Sequence, residues 1–193
     1  MNVLLVISHP IKTSFNYALL DVVKEGLGEA GHEYRVADLY GEDFQSAMIK
    51  ADYAQFAGKP MPAEILVEQK RVEWAQGLVF IFPLFWWSLP GMLKGWIDRV
   101  ISYGWAWEDP LDPTSGHLDR RKVLVLVTAG ASEKALKKRN YDQAFEAQVT
   151  TGIWDYCNFD DVTTHFFYNV YSGRPESQFK EYLQLAKVLA KNF

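Results

Sequence analysis

The residues best equipped for chemistry stand in loops that follow apolar runs. The first is Ser8-His9-Pro10-Ile11-Lys12-Thr13-Ser14-Phe15-Asn16, directly after the apolar run Val3-Leu4-Leu5-Val6-Ile7. It supplies hydroxyls, an imidazole and an amide where a helix-patterned stretch begins. The start of a helix offers unpaired N–H groups and a positive dipole end, so an anion fits there, a phosphate above all. A helix cap made by Thr13 or Ser14, with Lys12 solvated, would use the same N–H groups. The position after the first buried run favours the phosphate.

The second stretch is Phe82-Pro83-Leu84-Phe85-Trp86-Trp87-Ser88-Leu89-Pro90-Gly91. Prolines stiffen both ends. Three consecutive aromatics between them cannot all face one core, so they suit a wall for a planar heterocycle, or an interface. A third stretch, Thr128-Ala129-Gly130-Ala131-Ser132, is small enough for backbone to approach a ligand. In a fourth, Trp105 and Trp107 stand two apart, on one side if the segment is extended. They fit a pocket wall, a dimer contact or both. Asp109, Asp112 and His117 nearby read as solvated loop residues rather than a metal site. His165 reads as a core histidine and Cys157 as small core packing. Gly26 to Gly31 match the string G-x-G-x-x-G, but at the end of a helix pattern instead of between strand and helix, where the dinucleotide mechanism needs it. They read as a frayed helix end.

The elements that must position these loops follow from pattern. Continuous apolar runs with β-branched members predict buried strands over 3–7, 78–82 and 123–128, and two further, mixed stretches predict strands over 34–37 and 162–170. Helical spacing, with Gly31 as a terminator, predicts helices over 15–30, 63–76, 92–101, 141–157 and 176–191. Stretches 38–62, 102–121 and 133–140 are irregular. Strands alternating with helices predict an α/β domain spanning 1–193, with a doubly wound five-stranded parallel sheet and helices on both faces. In such sheets ligands sit beyond the carboxyl ends of the strands, where strand order reverses, and loops 8–13, 83–90 and 129–132 should meet there.

Composition narrows the function. A chain of 193 residues with net charge −4 carries no basic footprint for nucleic acid. No apolar run has the length of a membrane span, and Lys12 follows the first apolar run where a signal peptide would need it to precede. One cysteine excludes an internal disulfide and suits a reducing cytoplasm. Seven Trp, ten Tyr and twelve Phe, several in loops, suit a flat ligand or a dimer interface.

Thr13-Ser14-Phe15-Asn16-Tyr17-Ala18, Asp38-Leu39-Tyr40, Glu68-Gln69-Lys70, Phe82-Pro83-Leu84 and the long block Pro90-Gly91-Met92-Leu93-Lys94-Gly95-Trp96-Ile97-Asp98-Arg99-Val100 together resemble the flavodoxin-like NAD(P)H:quinone oxidoreductases of the DT-diaphorase type. Bacterial relatives in that family include potassium-efflux ancillary subunits and drug-activity modulators. The resemblance implies a flavin, FAD or alternatively FMN. Its phosphates would lie at His9, Thr13, Ser14, Phe15 and Asn16. Its ring would lie over Pro83, Leu84, Phe85, Trp86 and Trp87, with Thr128, Ala129, Gly130 and Ala131 on the pyrimidine side. Trp105 and Trp107 would line the pocket for nicotinamide and then quinone, across a homodimer interface. Two-electron hydride transfer from NAD(P)H to a quinone, with ping-pong kinetics, follows from that resemblance. Its rivals are a regulatory flavoprotein in peripheral contact with a membrane transporter and a one-electron carrier. Mammalian members carry a Tyr and a His after the fourth strand for a proposed relay. Here 133–140 is basic instead, with Lys134, Lys137, Lys138 and Arg139, so no relay carries over.

Overall fold

The computed structural model describes residues 1–108, 111, 118 and 120–193. Its frame is five strands, β1 (Asn2–Ile7), β2 (Glu33–Asp38), β3 (Gly77–Pro83), β4 (Lys122–Thr128) and β5 (Val162–Phe167). They lie in the order β2-β1-β3-β4-β5 and every neighbouring pair is parallel. Side chains alternate across a strand, and both faces are covered. Val3, Leu5, Ile7, Val79, Ile81, Leu124 and Leu126 pack under α1 (Phe15–Glu29) and α6 (Glu176–Lys191). Leu4, Val6, Phe80, Phe82, Val123, Val125 and Val127 face α2 (Ala63–Trp74), α3 (Gly91–Val100) and the segment that follows β4. Burial on both faces is why these strands read as unbroken apolar runs. Strand order reverses between β1 and β3, as the alternation of elements predicts, and loops 8–13 and 83–90 leave there.

The Gly26–Gly31 string is not a frayed end. Gly26 lies inside α1, where an added Cβ would come within 2.4 Å of the Lys187 carbonyl oxygen of α6, so this glycine lets the two helices touch. Gly31, at φ 74°, closes α1: its N–H bonds the Gly28 carbonyl and His32 N–H bonds that of Leu27. These two bonds are the Schellman pattern.

Three segments depart from expectation. Stretch 38–62 contains a 3-10 helix, Lys50–Ala57. Stretch 133–140 contains α4 (Glu133–Lys137), capped by the Ser132 hydroxyl accepting from Ala135 N–H. The helix expected over 141–157 is two pieces, α5 (Tyr141–Phe145) and a π-helix, Glu146–Asp155. The i→i+5 bonds of a π-helix destroy the 3.6-residue period, so its apolar pattern looks weak in sequence. β5 stops at Phe167 because Asn169 turns with φ 55°, and residues 169 and 170 bond back to Ala131 and Ala129.

Candidate functional site

After β1, Ser8 N–H still bonds the Ile81 carbonyl, so the loop begins pinned to β3. The Ser8 hydroxyl is fully buried and has no partner among the described residues. His9 Nδ1 faces the backbone of its own loop, 3.0 Å from the Ile11 nitrogen and 3.2 Å from the Ile11 carbonyl oxygen, so Nε2 is the ring nitrogen left for another partner. Burial holds His9 below the ordinary imidazole value, so the neutral ring is the resting form. Ser14 is the N-cap of α1, but its side chain caps nothing and its oxygen is buried without a partner among the described residues. The first turn carries no acidic residue. The positive end of α1 is therefore left unneutralised by the chain's own capping groups. Thr13 lies exposed beside it.

Lys12 is not merely solvated. It pairs with Asp38 at the end of β2, whose carboxylate also accepts from Tyr17 OH and Gly41 N–H, both at 2.8 Å. Against burial, which would raise it, these three donors hold the Asp38 carboxyl below the usual carboxylate range. The Asn16 side chain is also committed. Its amide exchanges hydrogen bonds of 3.1 and 3.2 Å with the buried Thr128 hydroxyl at the end of β4. Asn16 thus braces one loop against another, and what it leaves for an anion is its backbone N–H.

The loop after β3 is the most unusual piece of backbone. Pro83 is buried opposite Thr128 in the sheet register, and Leu84 N–H bonds the Thr128 carbonyl at 2.8 Å. Phe85 and Ser88 then close a two-residue hairpin with reciprocal bonds of 3.2 and 3.0 Å. Trp86 and Trp87 occupy its centre with φ of 49° and 65°. Turns of this primed kind ordinarily take Asn and Gly. Bulky residues held at positive φ cost on the order of 1–3 kcal/mol each. Trp86 is 93% exposed, and the Trp87 ring stacks on Tyr141 at 4.2 Å and 16°.

Leu84, Trp86 and Trp87 form one wall of a cavity of about 250 Å³, and Ala129, Gly130 and Ala131 form the other. The loops singled out after β3 and β4 therefore do meet. Phe85 stands half-exposed outside that lining. A Cβ added at Gly130 would meet nothing within 4 Å, so the space there is open. Among the described residues, the backbone N–H groups of Trp86, Trp87, Gly130 and Ala131 donate no backbone hydrogen bond, and such donors suit the polar edge of a planar ring.

Trp105 and Trp107 lie elsewhere. Gly104, at φ 78°, bonds the Trp107 carbonyl at 2.7 Å, so the segment is a tight turn and the two indoles diverge. Trp105 Nε1 donates to Glu73 of α2, while Trp107 Nε1 donates to the Ile101 carbonyl. Trp107 lines a second cavity of about 290 Å³ with Met48, Phe56, Ile101 and Tyr156. A run of ring contacts at 5.2–6.0 Å joins Tyr53, Phe56, Tyr103, Trp107 and Tyr156. This wall lies at the C-terminal end of α3, reaching back to Ile97 and Asp98, whereas the loop after β3 leads into the first residue of that helix, Gly91. Met48 and Phe56 carry no sequence signal because they stand in the irregular stretch 38–62, and Tyr156 carries none because the π-helix before it breaks the helical period. Tyr141 carries none either, since its stack on Trp87 joins residues far apart in the chain.

Asp109, Asp112 and His117 lie outside the described residues. His165 packs edge-on against Phe167, and burial lowers its pKa. Burial pushes the Cys157 thiol up to about 12, which makes it an inert packing residue. Among the described residues no group of three or more His, Cys, Asp or Glu is placed to hold a metal.

A family model described as the flavodoxin-like fold matches residues 1–189. NAD(P)H dehydrogenase [quinone] 1 of Cavia porcellus is 31% identical, over 90% of this chain and 70% of its own. Ribosyldihydronicotinamide dehydrogenase [quinone] of Rattus norvegicus is 30% identical, over 81% of this chain and 77% of its own. Among solved structures, an NAD(P)H:quinone oxidoreductase from Methanothermobacter marburgensis superposes with a TM-score of 0.91 at 32% identity, covering 100% of this chain and 95% of that one.

Proposed function

This chain belongs to the flavodoxin-like NAD(P)H:quinone oxidoreductase family, and we propose on that footing that it passes two electrons, as hydride, from NAD(P)H through a bound flavin to a quinone or similar acceptor. What carries the reading is two complementary features tied together by the Asn16–Thr128 hydrogen bonds, which we read as the ends of one crevice. At one end lies an uncapped helix start with the orphaned, buried Ser14 oxygen. At the other lies the cavity between Trp86, Trp87 and 129–131. A molecule with phosphate at one end and a flat heterocycle at the other fits both.

The Ser14 hydroxyl, the N–H groups of Phe15 and Asn16 and the His9 Nε2–H would hold phosphate. Neutral His9 donates without needing a charge, so its lowered pKa suits the role. Leu84, Trp86 and Trp87 would stack against the ring. The amides of Gly130 and Ala131 would face its pyrimidine edge and put fixed positive dipoles where electron density grows. When bound, the flavin supplies the hydride-accepting and hydride-donating centre, and the protein's part is to orient it and exclude water. Phe15 packs on Phe179 of α6 at 5.0 Å, an apolar surface beside the phosphate end where an adenine can rest, which supports FAD over FMN.

A homodimer fits the separation of the two cavities. One chain cannot bring its own Trp107 and Tyr156 over its own ring cavity across the length of α3, whereas a second copy can. The donor and then the acceptor would use the same ring face in turn, hence ping-pong kinetics. The reduced state of the single buried thiol suits the cytoplasm, and among the described residues no helix is long and apolar enough to cross a membrane.

The test is an absorption spectrum of the purified protein, then anaerobic NADPH or NADH, then benzoquinone. A flavin band that bleaches with the nucleotide and returns with the quinone is expected. A band that neither nucleotide bleaches overturns the reading. Release of the flavin by acid and its chromatography against FAD and FMN decides the cofactor.

A further inference from the structure

The Phe85–Ser88 turn is built against its own chemistry. Its two central positions have φ of 49° and 65°, yet both are tryptophan. Trp86 recovers nothing by packing, since it is 93% exposed. Asn-Gly would close the same hairpin without strain. The pair is therefore not there for the fold, and something must hold the turn in register. Beyond its own two backbone bonds, three contacts are available among the described residues. Leu84 N–H is pinned to the Thr128 carbonyl, the Ser88 hydroxyl reaches Gln148 Oε1 at 3.4 Å, and the Trp87 ring lies flat on Tyr141. Only the last grips the strained residues themselves. Tyr141 is fixed in turn. It opens α5 directly after Asn140, which adopts the left-handed conformation with φ 55°, bonds the Lys137 carbonyl and accepts from Ala144 N–H at 2.9 Å.

We propose that Tyr141 is a positioning residue whose ring clamps Trp87 and so holds the strained turn with both indoles in the wall of the 250 Å³ cavity. The nature of the ligand in that cavity rests on the flavin reading above. Strain of this sort is kept where a site needs a shape that local preference would not supply.

The experiment compares the parent chain, Tyr141→Ala, Tyr141→Phe and the double variant Trp86→Asn/Trp87→Gly. The cofactor-free chain is read by its thermal midpoint and near-ultraviolet circular dichroism, and binding is read by titration with FAD. Tyr141→Ala should lose the aromatic dichroism of the stack and bind FAD at least tenfold more weakly, and Tyr141→Phe should restore both. The double variant should raise the thermal midpoint while weakening FAD binding, opposite signs that general destabilisation does not produce. Parent-like FAD affinity in Tyr141→Ala, or a lower midpoint in the double variant, overturns the proposal. Failure of the parent itself to bind FAD overturns the functional reading instead, and the midpoint comparison still judges the strain.

Discussion

The two ends of α3 are built by opposite rules. Before its first residue, the loop after β3 holds two bulky residues at positive φ and leaves an indole in solvent, and across the crevice Ser8 and Ser14 bury hydroxyls without partners among the described residues. Near its last residue, Arg99 is 1% exposed and satisfied on every side. Its guanidinium bonds both oxygens of the buried Asp52 at 2.9 and 3.0 Å, Glu64 at 3.1 Å and the Gln45 carbonyl. Asp52 also accepts from Ile49 N–H at 2.7 Å. One turn on, Gln55 accepts from Tyr103 N–H at 2.7 Å, which ties the Trp107 loop to the same network. Alongside, Gly95 lets α3 approach so near that a Cβ would sit 2.0 Å from the Ser46 carbonyl oxygen. Where local rules are obeyed the chain is holding itself together. Where they are broken beside loops 8–16 and 83–90, the partner we propose is a ligand.

The largest effect should come from breaking the satisfied end. Arg99→Met strands Asp52 as a buried, unpaired carboxylate and should cost about 3–5 kcal/mol in urea unfolding. Adding Asp52→Leu should recover part of that loss, and no recovery would mean that the bonds to Gln45 and Glu64 matter more. Next comes the unsatisfied end. Asn16→Asp places negative charge at the helix start and against Thr128. It should weaken flavin binding tenfold or more, about 1.4 kcal/mol, measured by titration of the stripped protein. Unchanged affinity would remove the phosphate from that helix end. Both variants together should separate the regions, Arg99→Met moving stability far more than Asn16→Asp does.

The smallest effect probes a carboxylate beside the satisfied network. Burial raises the Glu68 pKa despite its bonds from Trp96 Nε1 at 2.9 Å and its pairing with Arg71. A carboxyl whose folded pKa is raised contributes stability that is complete below its unfolded pKa and is lost as pH rises through the folded value. Glu68→Gln should therefore match the parent near pH 4 and be slightly more stable at pH 7, in paired thermal melts. A parent that is the more stable at pH 7 would show that the Arg71 pairing outweighs burial.

Much of the crevice was legible because its signals are local. The aromatic run 85–87 announced that not all of it faces a core, and exposure of all three bears this out. Small residues at 129–131 announced open backbone, and they do line the cavity. The orientation of Trp105 and Trp107 was not legible, since a glycine turn replaced the extended segment that their spacing assumes. The Asn16–Thr128 brace was equally hidden, because its two halves stand 112 positions apart.

The sequence by itself determined the strands, to within a few residues at their ends, and the place where the loops after β1, β3 and β4 emerge. Each rests on periodicity and end chemistry confined to neighbouring residues. Only the tertiary structure decided what the irregular segments do. The 3-10 helix Lys50–Ala57 exists because Arg99 reaches it from α3, and the strained indoles hold their place because Tyr141 arrives from beyond β4. Those contacts join distant parts of the chain, and no local preference encodes them.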